Sequence, residues 1–423
     1  GCGMSISNMP QQQGLTAYVA VTAAYWAFML TDGALRMLVL LHFHLLGFSP
    51  LQLAYLFLLY EFMGVVTNLA AGWLAARFGL AATLYAGLSF QVVALAFLYA
   101  MPGDIEMIWA VVYVMLVQGL SGIAKDLAKM SSKSAVKLLA PDRPGSLFRW
   151  VAMLTGSKNA VKGLGFFIGA ALLALIGFDG AVLSMGLVLF AILLAVLAFM
   201  PSGLPSGKKE AKFKDVFSKD RRVNILSLAR MFLFGARDVW FVVGIPIFFY
   251  GALSDGSPEA NKQAFFIIGM FMAAWIIGYG VIQALAPKFF KNRAHDEKAI
   301  TGLASSLLLG VVLIPLALGG LLWVMGADVG HVVVAVVALS LLGYGAVFAL
   351  NSSVHSYLIL AFTSGERVTM DVGFYYMSNA AGRFLGTLLS GVSYSLAGVA
   401  GCLIVSGLMA LASFICVRRL KQV

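Results

Sequence analysis

Apolar runs of about 20 residues recur from one end of the chain to the other, and a run of that length can cross a hydrocarbon core of about 30 Å as a helix. This excludes most of what a 423-residue polypeptide can become. In lipid every backbone N–H and C=O must be paired internally, so such runs fold as helices or not at all. Composition agrees: 61% of the residues are hydrophobic, 11% are charged and mean hydropathy is +0.93. A soluble domain carries about 25% charged residues. The chain reads as an all-α polytopic membrane protein.

The sequence predicts twelve spans, near 16–46, 50–76, 80–101, 105–127, 148–177, 180–200, 223–251, 263–287, 299–325, 330–360, 368–395 and 398–417. No cleavable signal is read before the first. Basic residues in the connections set the orientation. With the N-terminus inside, 22 of the 29 Lys and Arg fall in inside-facing segments and only Lys262 outside, so both termini are expected in the cytoplasm. The net charge of +11 is then mostly topological, and no nucleic-acid partner is required. The segment 201–222, PSGLPSGKKEAKFKDVFSKDRR, is the one Pro/Gly/Lys-rich linker of its length. It divides the chain into an N-terminal tail (1–15), a six-helix bundle (16–200), the linker (201–222), a second six-helix bundle (223–417) and a C-terminal tail (418–423). Two six-span repeats place a substrate site near the midplane between them.

Six bases remain inside the spans: Arg36, Lys158, Lys162, Arg230, Arg237 and Arg383. A charge at a helix centre costs about 2.5–3.5 kcal/mol on insertion scales, so each should face a cavity or a partner. Lys158 and Lys162 lie one turn apart in TGSKNAVKGLGFF with no acid beside them and either await an anion or pair with Asp32, Glu61 or Asp238, and Arg383 occupies the comparable span of the second repeat. The intramembrane acids are Asp32, Glu61, Asp238 and Asp371, so bases outnumber acids and an anionic substrate is the natural complement. Arginine suits bidentate oxyanion contact and lysine acts as a point charge. Asp32 and Arg36 are four apart and either pair with each other or serve the site; Arg237 and Asp238 point about 100° apart and are expected to find different partners. Glu61, in the apolar company of LLYEFMGVV, and Asp32 are the two readings for a proton carrier, with ion pairing as the alternative.

GIAKDLAKMSSKSAVKLL repeats Lys125, Lys129, Lys133 and Lys137 every four residues, one helical stripe at the cytoplasmic mouth: either a solvated or headgroup-facing side or a funnel for anions. His42 and His44, two apart, point away from each other and cannot readily share a metal; His355 is expected to be a satisfied structural histidine. Gly165 and Gly169 form a GxxxG suited to close helix contact. Cys2, Cys402 and Cys416 make no disulfide or metal pattern. No phosphate loop, metal spacing or nucleophile elbow is present, so neither an enzyme nor an ATP-driven pump is expected, and no cofactor.

The loop GWLAARFGLAA (72–82) resembles the G-x-L-A-D-R-x-G-R-R signature of the major facilitator superfamily, keeping Gly72, Leu74, Ala75, Arg77 and Gly79. Ala76 replaces its acid, and Leu80 and Ala81 its basic pair. Gly156, Gly165 and Gly169 follow the spacing of that superfamily's antiporter motif, with Ala170 in place of its proline. Within the superfamily, the stretches from Tyr25 to Leu80, SGIAKDLAKMSSKSAVKLL and RWVAMLTGSKNAVKGLGFF resemble ArsJ-type organoarsenical efflux transporters, and the resemblance runs over nearly the whole chain. It implies a monomeric multi-pass exporter of the bacterial inner membrane. It further implies a cargo of 1-arseno-3-phosphoglycerate, made when glyceraldehyde-3-phosphate dehydrogenase uses arsenate, and hence a functional link to that enzyme. The residues by themselves also admit an exporter of ordinary organophosphate or phosphate, or a proton-coupled drug exporter.

Overall fold

The computed structural model describes residues 11–139, 146–201, 218–290, 296–326, 330–363 and 368–423. Most of the linker, the first ten residues, and Lys291, Arg293 and Arg367 lie outside the described residues. The described chain is helical: α1 (Gln11–Leu45), α2 (Pro50–Phe78), α3 (Leu80–Tyr99), α4 (Met107–Leu139), α5 (Ser146–Phe199), α6 (Arg221–Val239), α7 (Ile245–Leu253), α8 (Pro258–Phe289), α9 (Glu297–Met325), α10 (His331–Phe362) and α11 (Val368–Leu420). Local chemistry sets several of these boundaries. Asp220 accepts from the backbone N–H of Arg222 and Ser257 from that of Ala260, each satisfying an orphan donor of a first turn, and Pro258 supplies the fixed φ that suits a helix start.

Ten described helices are long and apolar enough to cross a membrane, which makes this a multi-pass membrane protein. That number differs from the expected twelve for a specific reason. At 54 and 53 residues, α5 and α11 would each extend about 80 Å if unbroken, far beyond a core of about 30 Å. Each is interrupted instead, α5 at Gly177 (φ 78°) and α11 at Ala397 and Gly398 (φ 67° at the glycine), a backbone conformation that glycine adopts without a Cβ clash. The apolar stretch Arg221–Leu253, by contrast, is continuous across α6 and α7 through a π-helical turn at Trp240–Gly244. There Pro246 has no N–H to donate, while Ser390 accepts from the amides of Val243 and Gly244 at 3.1 and 3.3 Å.

Helices α1–α5 pack among themselves, as do α6–α11, and the two sets meet where α5 lies along α8 and α2 along α11. The GxxxG of α5 does serve close contact: a Cβ on Gly165 would run into the carbonyl of Leu30 on α1, and Gly169 is as tightly pressed on Ala34. This brings the lysine-bearing face of α5 against the charged stretch of α1. Across the molecule the core of the α6–α11 set is aromatic: Trp240 sits edge-on to Trp275 and Tyr344 with ring centroids 5.4 Å apart, and Trp275 stacks on Tyr279 at 5.8 Å.

Candidate functional site

One buried network gathers most of the charged residues that the sequence placed at membrane depth, contributed by α1, α2, α4, α5 and α11. Glu61 on α2, 2% exposed, is its hub: Oε1 accepts from Arg36 Nη2 at 3.0 Å and Oε2 from Arg383 Nε at 3.2 Å. Its company is two guanidiniums, not the apolar neighbours that its local sequence suggests. Arg383 comes from α11, so this carboxylate joins the two helix sets. Arg36 also stacks over Phe57 at 4.8 Å, and Tyr60 donates to Asp32 Oδ1 at 2.7 Å. Asp32 pairs with Lys162 Nζ at 3.3 Å, and so not with Arg36 as the i,i+4 spacing allowed. The Gly165 contact explains this choice, since it holds α5 close enough for Lys162 to reach across.

The lysine stripe of α4 calls for a correction. Lys125 and Lys129 are buried, not on a solvated or headgroup-facing side. The ammonium of Lys125 lies 4.5 Å from the Tyr60 ring centroid, and that of Lys129 donates to Asn68 at 2.7 Å and pairs with Asp126 at 3.4 Å. Asp126, fully buried, accepts a further hydrogen bond from Thr67. Lys133 stands 3.6 Å above the ring of Tyr376 on α11; the side chain of Lys137 lies outside the description. Lys158 lies within electrostatic reach of Lys129, Lys133, Lys162 and Arg383, and no carboxylate among the described residues forms an ion pair with it. Asp126 escaped sequence reasoning because the repeat of four lysines drew attention to a surface; the signal was an acid one residue after Lys125 and three before Lys129. Beneath the charges runs a neutral chain in which Ser121 donates to Gln91 and Gln91 to Thr31.

Of the remaining predicted residues, Asp238 lies within electrostatic reach of Arg36 and Arg383, and the others have settings of their own. Arg237 and Asp238 pair with each other at 2.8 Å, against the expectation of separate partners: the long arginine reaches back over Phe234 to its neighbour's carboxylate. Arg230 is held by neutral groups, donating to Asn379 at 2.7 Å and to the hydroxyl and carbonyl of Ser352 at 2.7 and 3.0 Å. His355 is buried, yet among the described residues neither ring nitrogen has a hydrogen-bond partner, so it is not the satisfied histidine expected. Asp371 sits in the first turn of α11, accepting from Thr363 just beyond α10, at a helix end and not at mid-depth. His42 stacks on Phe178 and His44 meets Tyr250 edge-on, two separate settings.

Among the described residues, Arg36, Lys125, Lys129, Lys133, Lys158, Lys162 and Arg383 gather around Asp32, Glu61 and Asp126, and the Arg237–Asp238 pair, within electrostatic reach of Arg36 and Arg383, adds one charge of each sign. Burial of charge is tolerated when it is paired, and here cations exceed the available carboxylates. The site is net positive.

Comparison with known proteins places the fold. No curated protein sequence matches the chain. Among solved structures, a POT family transporter in complex with 5-aminolevulinic acid superposes with a TM-score of 0.72 at 16% identity, covering 99% of both chains. The nucleoside transporter NupG gives 0.66 at 14%, covering 97% of this chain and 99% of its own. The human organic anion transporter MFSD10 (TETRAN) gives 0.61 at 17%, covering 97% of this chain and 100% of its own. The family model of the Major Facilitator Superfamily matches residues 17–359. With a multi-pass helical fold, a charged network at the meeting of two helix sets and a family match over most of its length, the chain belongs to the Major Facilitator Superfamily and is a membrane transporter.

Proposed function

We propose that the protein is a secondary active exporter of an organic anion, working by alternating access between the α1–α5 and α6–α11 sets, read as two six-span repeats. The observation that carries this reading is the excess of bases over acids in the buried network, eight to four once the Arg237–Asp238 pair is included. The breaks at Gly177 and Gly398 support reading α5 and α11 as two spans each and α6–α7 as one, twelve in all, and the basic connections support cytoplasmic termini on that reading. Arg36, Lys158, Lys162 and Arg383 border the anion, with Arg230 and Arg237 on the other side of the path.

The cargo is 1-arseno-3-phosphoglycerate, by the resemblance of the α1–α2, α4 and α5 stretches to ArsJ-type transporters; its arsenate and phosphate groups suit a cation-rich site. On this reading the protein sits as a monomer in a bacterial inner membrane and serves a cell whose glyceraldehyde-3-phosphate dehydrogenase has accepted arsenate. Proton entry drives export through Asp32 or Glu61, each bound to bases that a substrate anion competes for. The solved organic anion transporter of similar fold is consistent with the substrate class.

Uptake of the arsenylated ester into inverted vesicles, with and without an imposed proton gradient, tests the reading. Gradient-dependent accumulation is expected, with weaker competition by 3-phosphoglycerate and by phosphate. Equal or better transport of 3-phosphoglycerate would make it an ordinary organophosphate carrier, and accumulation of lipophilic cations alone would end the anion reading.

A further inference from the structure

Away from the buried network, the ends of α6, α9 and α11 on the face read above as cytoplasmic meet in one basic rim. Ser406 and Ser413 of α11 donate to the carbonyls of Ala236 and Ala229 on α6 at 2.5 and 2.7 Å. This antiparallel register carries the last turn of α11, with Arg418 and Arg419 and then Lys421, to the start of α6, with Lys219 and Arg221. On the side of α9, Lys421 Nζ lies 3.8 Å from where a Cβ on Gly302 would stand, and Lys298 is one turn before that glycine. All six bases are exposed, and none forms an ion pair among the described residues. The acids at this rim are committed to helix starts. Asp220 accepts from the Arg222 amide and pairs with its guanidinium at 3.7 Å, and Asp296 accepts from the Lys298 amide. With Arg222 and, from the sequence, Glu297 included, seven bases stand against three acids. Cations in a last turn suit the carbonyl end of α11, but Lys219, Arg221 and Lys298 stand at the N–H ends of α6 and α9, where the macrodipole disfavours positive charge. The rim therefore favours an anion from outside the chain. On its membrane side it continues into exposed apolar side chains: Leu408, Leu411 and Ile415 of α11 form one stripe that leads to Arg418 and Arg419.

We propose that this rim is a binding site for an anionic phospholipid. The phosphate sits among Arg418, Arg419 and Lys421, between the starts of α6 and α9, and an acyl chain follows Leu408, Leu411 and Ile415. An arginine fork matches two phosphate oxygens at once, and a basic end on an apolar stripe matches a headgroup and its chain. A lipid held there ties the end of α11 to the beginnings of α6 and α9. The site is separate from the transport path and requires only that the chain spans a membrane, whatever its cargo.

The test titrates phosphatidylglycerol and phosphatidylcholine into the purified full-length protein in neutral detergent, with bound lipid read by native mass spectrometry. Wild type should prefer phosphatidylglycerol by about fivefold or more in affinity, and the double variant Arg418→Gln, Arg419→Gln should compress that ratio below about twofold. Arg418→Lys with Arg419→Lys keeps the charge and should keep most of the preference, which guards against a ratio lost through misfolding. Lys288→Gln removes an exposed base on the same face, at the end of α8, a helix that packs on α5 and α10, and should leave the ratio unchanged. A wild type without preference, or a ratio unchanged in the double glutamine variant, would overturn the site. An equal loss in Lys288→Gln would also overturn it, leaving only diffuse attraction of headgroups to a basic face. Displacement of the lipid by millimolar inorganic phosphate would mean a site for a soluble anion and would overturn the assignment to lipid.

Discussion

Lys125, Asp126 and Lys129 on α4 and Asn351, Ser352 and His355 on α10 have the same spacing along their helices, yet they build opposite environments. On α4 the three positions are ionic, and their partners are a carboxylate, an amide and a tyrosine ring. On α10 they are neutral: Ser352 accepts from Arg230, whose guanidinium is satisfied by Asn379 and Ser352 without a carboxylate among the described residues, and His355 lies within its electrostatic reach. The α6–α11 set otherwise keeps its charge to itself, as in Arg237 with Asp238, or reaches over, as Arg383 does to Glu61. One wall holds its charges in ion pairs that, on the proposed anion-export reading, a substrate competes for. The other is a neutral, aromatic frame that holds its arginine in a fixed place. Alternating access needs both, a face whose partners can be exchanged and a face that moves as a unit.

The sharpest way to break this contrast is to remove the hub. Glu61→Ala leaves Arg36 and Arg383 buried without their counter-charge, which typically costs about 3–5 kcal/mol. A lower thermal unfolding midpoint in detergent and loss of transport are expected; a variant as stable as wild type would mean that the site is wet enough to solvate both arginines. On the neutral wall the equivalent truncation, Asn379→Ala, removes one uncharged acceptor from Arg230 and should cost about 1–3 kcal/mol. Equal losses for the two would erase the distinction between the walls.

A double-mutant cycle narrows the comparison to a single pair. Asp32→Asn with Lys162→Gln should show a coupling of about 1–3 kcal/mol, because the two ends are in direct contact in a buried network. The same cycle on Asp32 with Arg36, adjacent on the helix but differently partnered, should give a smaller value. A larger coupling for Asp32 with Arg36 would restore the pairing that the sequence spacing suggested.

How much of this was legible in advance follows from what each signal depends on. Helix existence depends on local apolar length, so the spans were readable, and so was the discontinuity after Ile176, where Gly177 ends an apolar run. The surplus of bases at depth was readable in part: Arg36, Lys158, Lys162 and Arg383 were counted there, whereas Lys125, Lys129 and Lys133 were assigned to the cytoplasmic mouth. Pairing was not. Asp32 prefers Lys162 to Arg36 because Gly165 and Gly169 let α5 press on α1, a fact of tertiary packing that i,i+4 spacing on α1 cannot contain. Lys125 and Lys129 were misplaced because a four-residue repeat marks one face of a helix without saying what that face meets. Arg237 and Asp238 failed for a related reason: backbone geometry separates neighbouring Cβ directions by about 100°, but the length of an arginine side chain overrides it.

The smallest effect on stability should come with the largest separation between stability and function. Lys158 makes no ion pair among the described residues and stands among four other bases, so Lys158→Met removes repulsion and a desolvated charge at once. The resting protein should be as stable as wild type or more stable by up to about 1 kcal/mol, since replacing an uncompensated buried charge by an apolar group of similar volume is often neutral or favourable. Transport should nevertheless fall by about tenfold or more, because the positive charge that destabilises the empty site is the one that binds the anion. Measured together, unfolding midpoints and vesicle uptake decide between two meanings of the surplus. A stabilised, inactive Lys158→Met would mark the α4–α5 wall as charge held in reserve for substrate. A destabilised variant would mean instead that Lys158 is already neutralised by a structural partner, and the contrast between the two walls would then rest on Arg36, Lys162 and Arg383 alone.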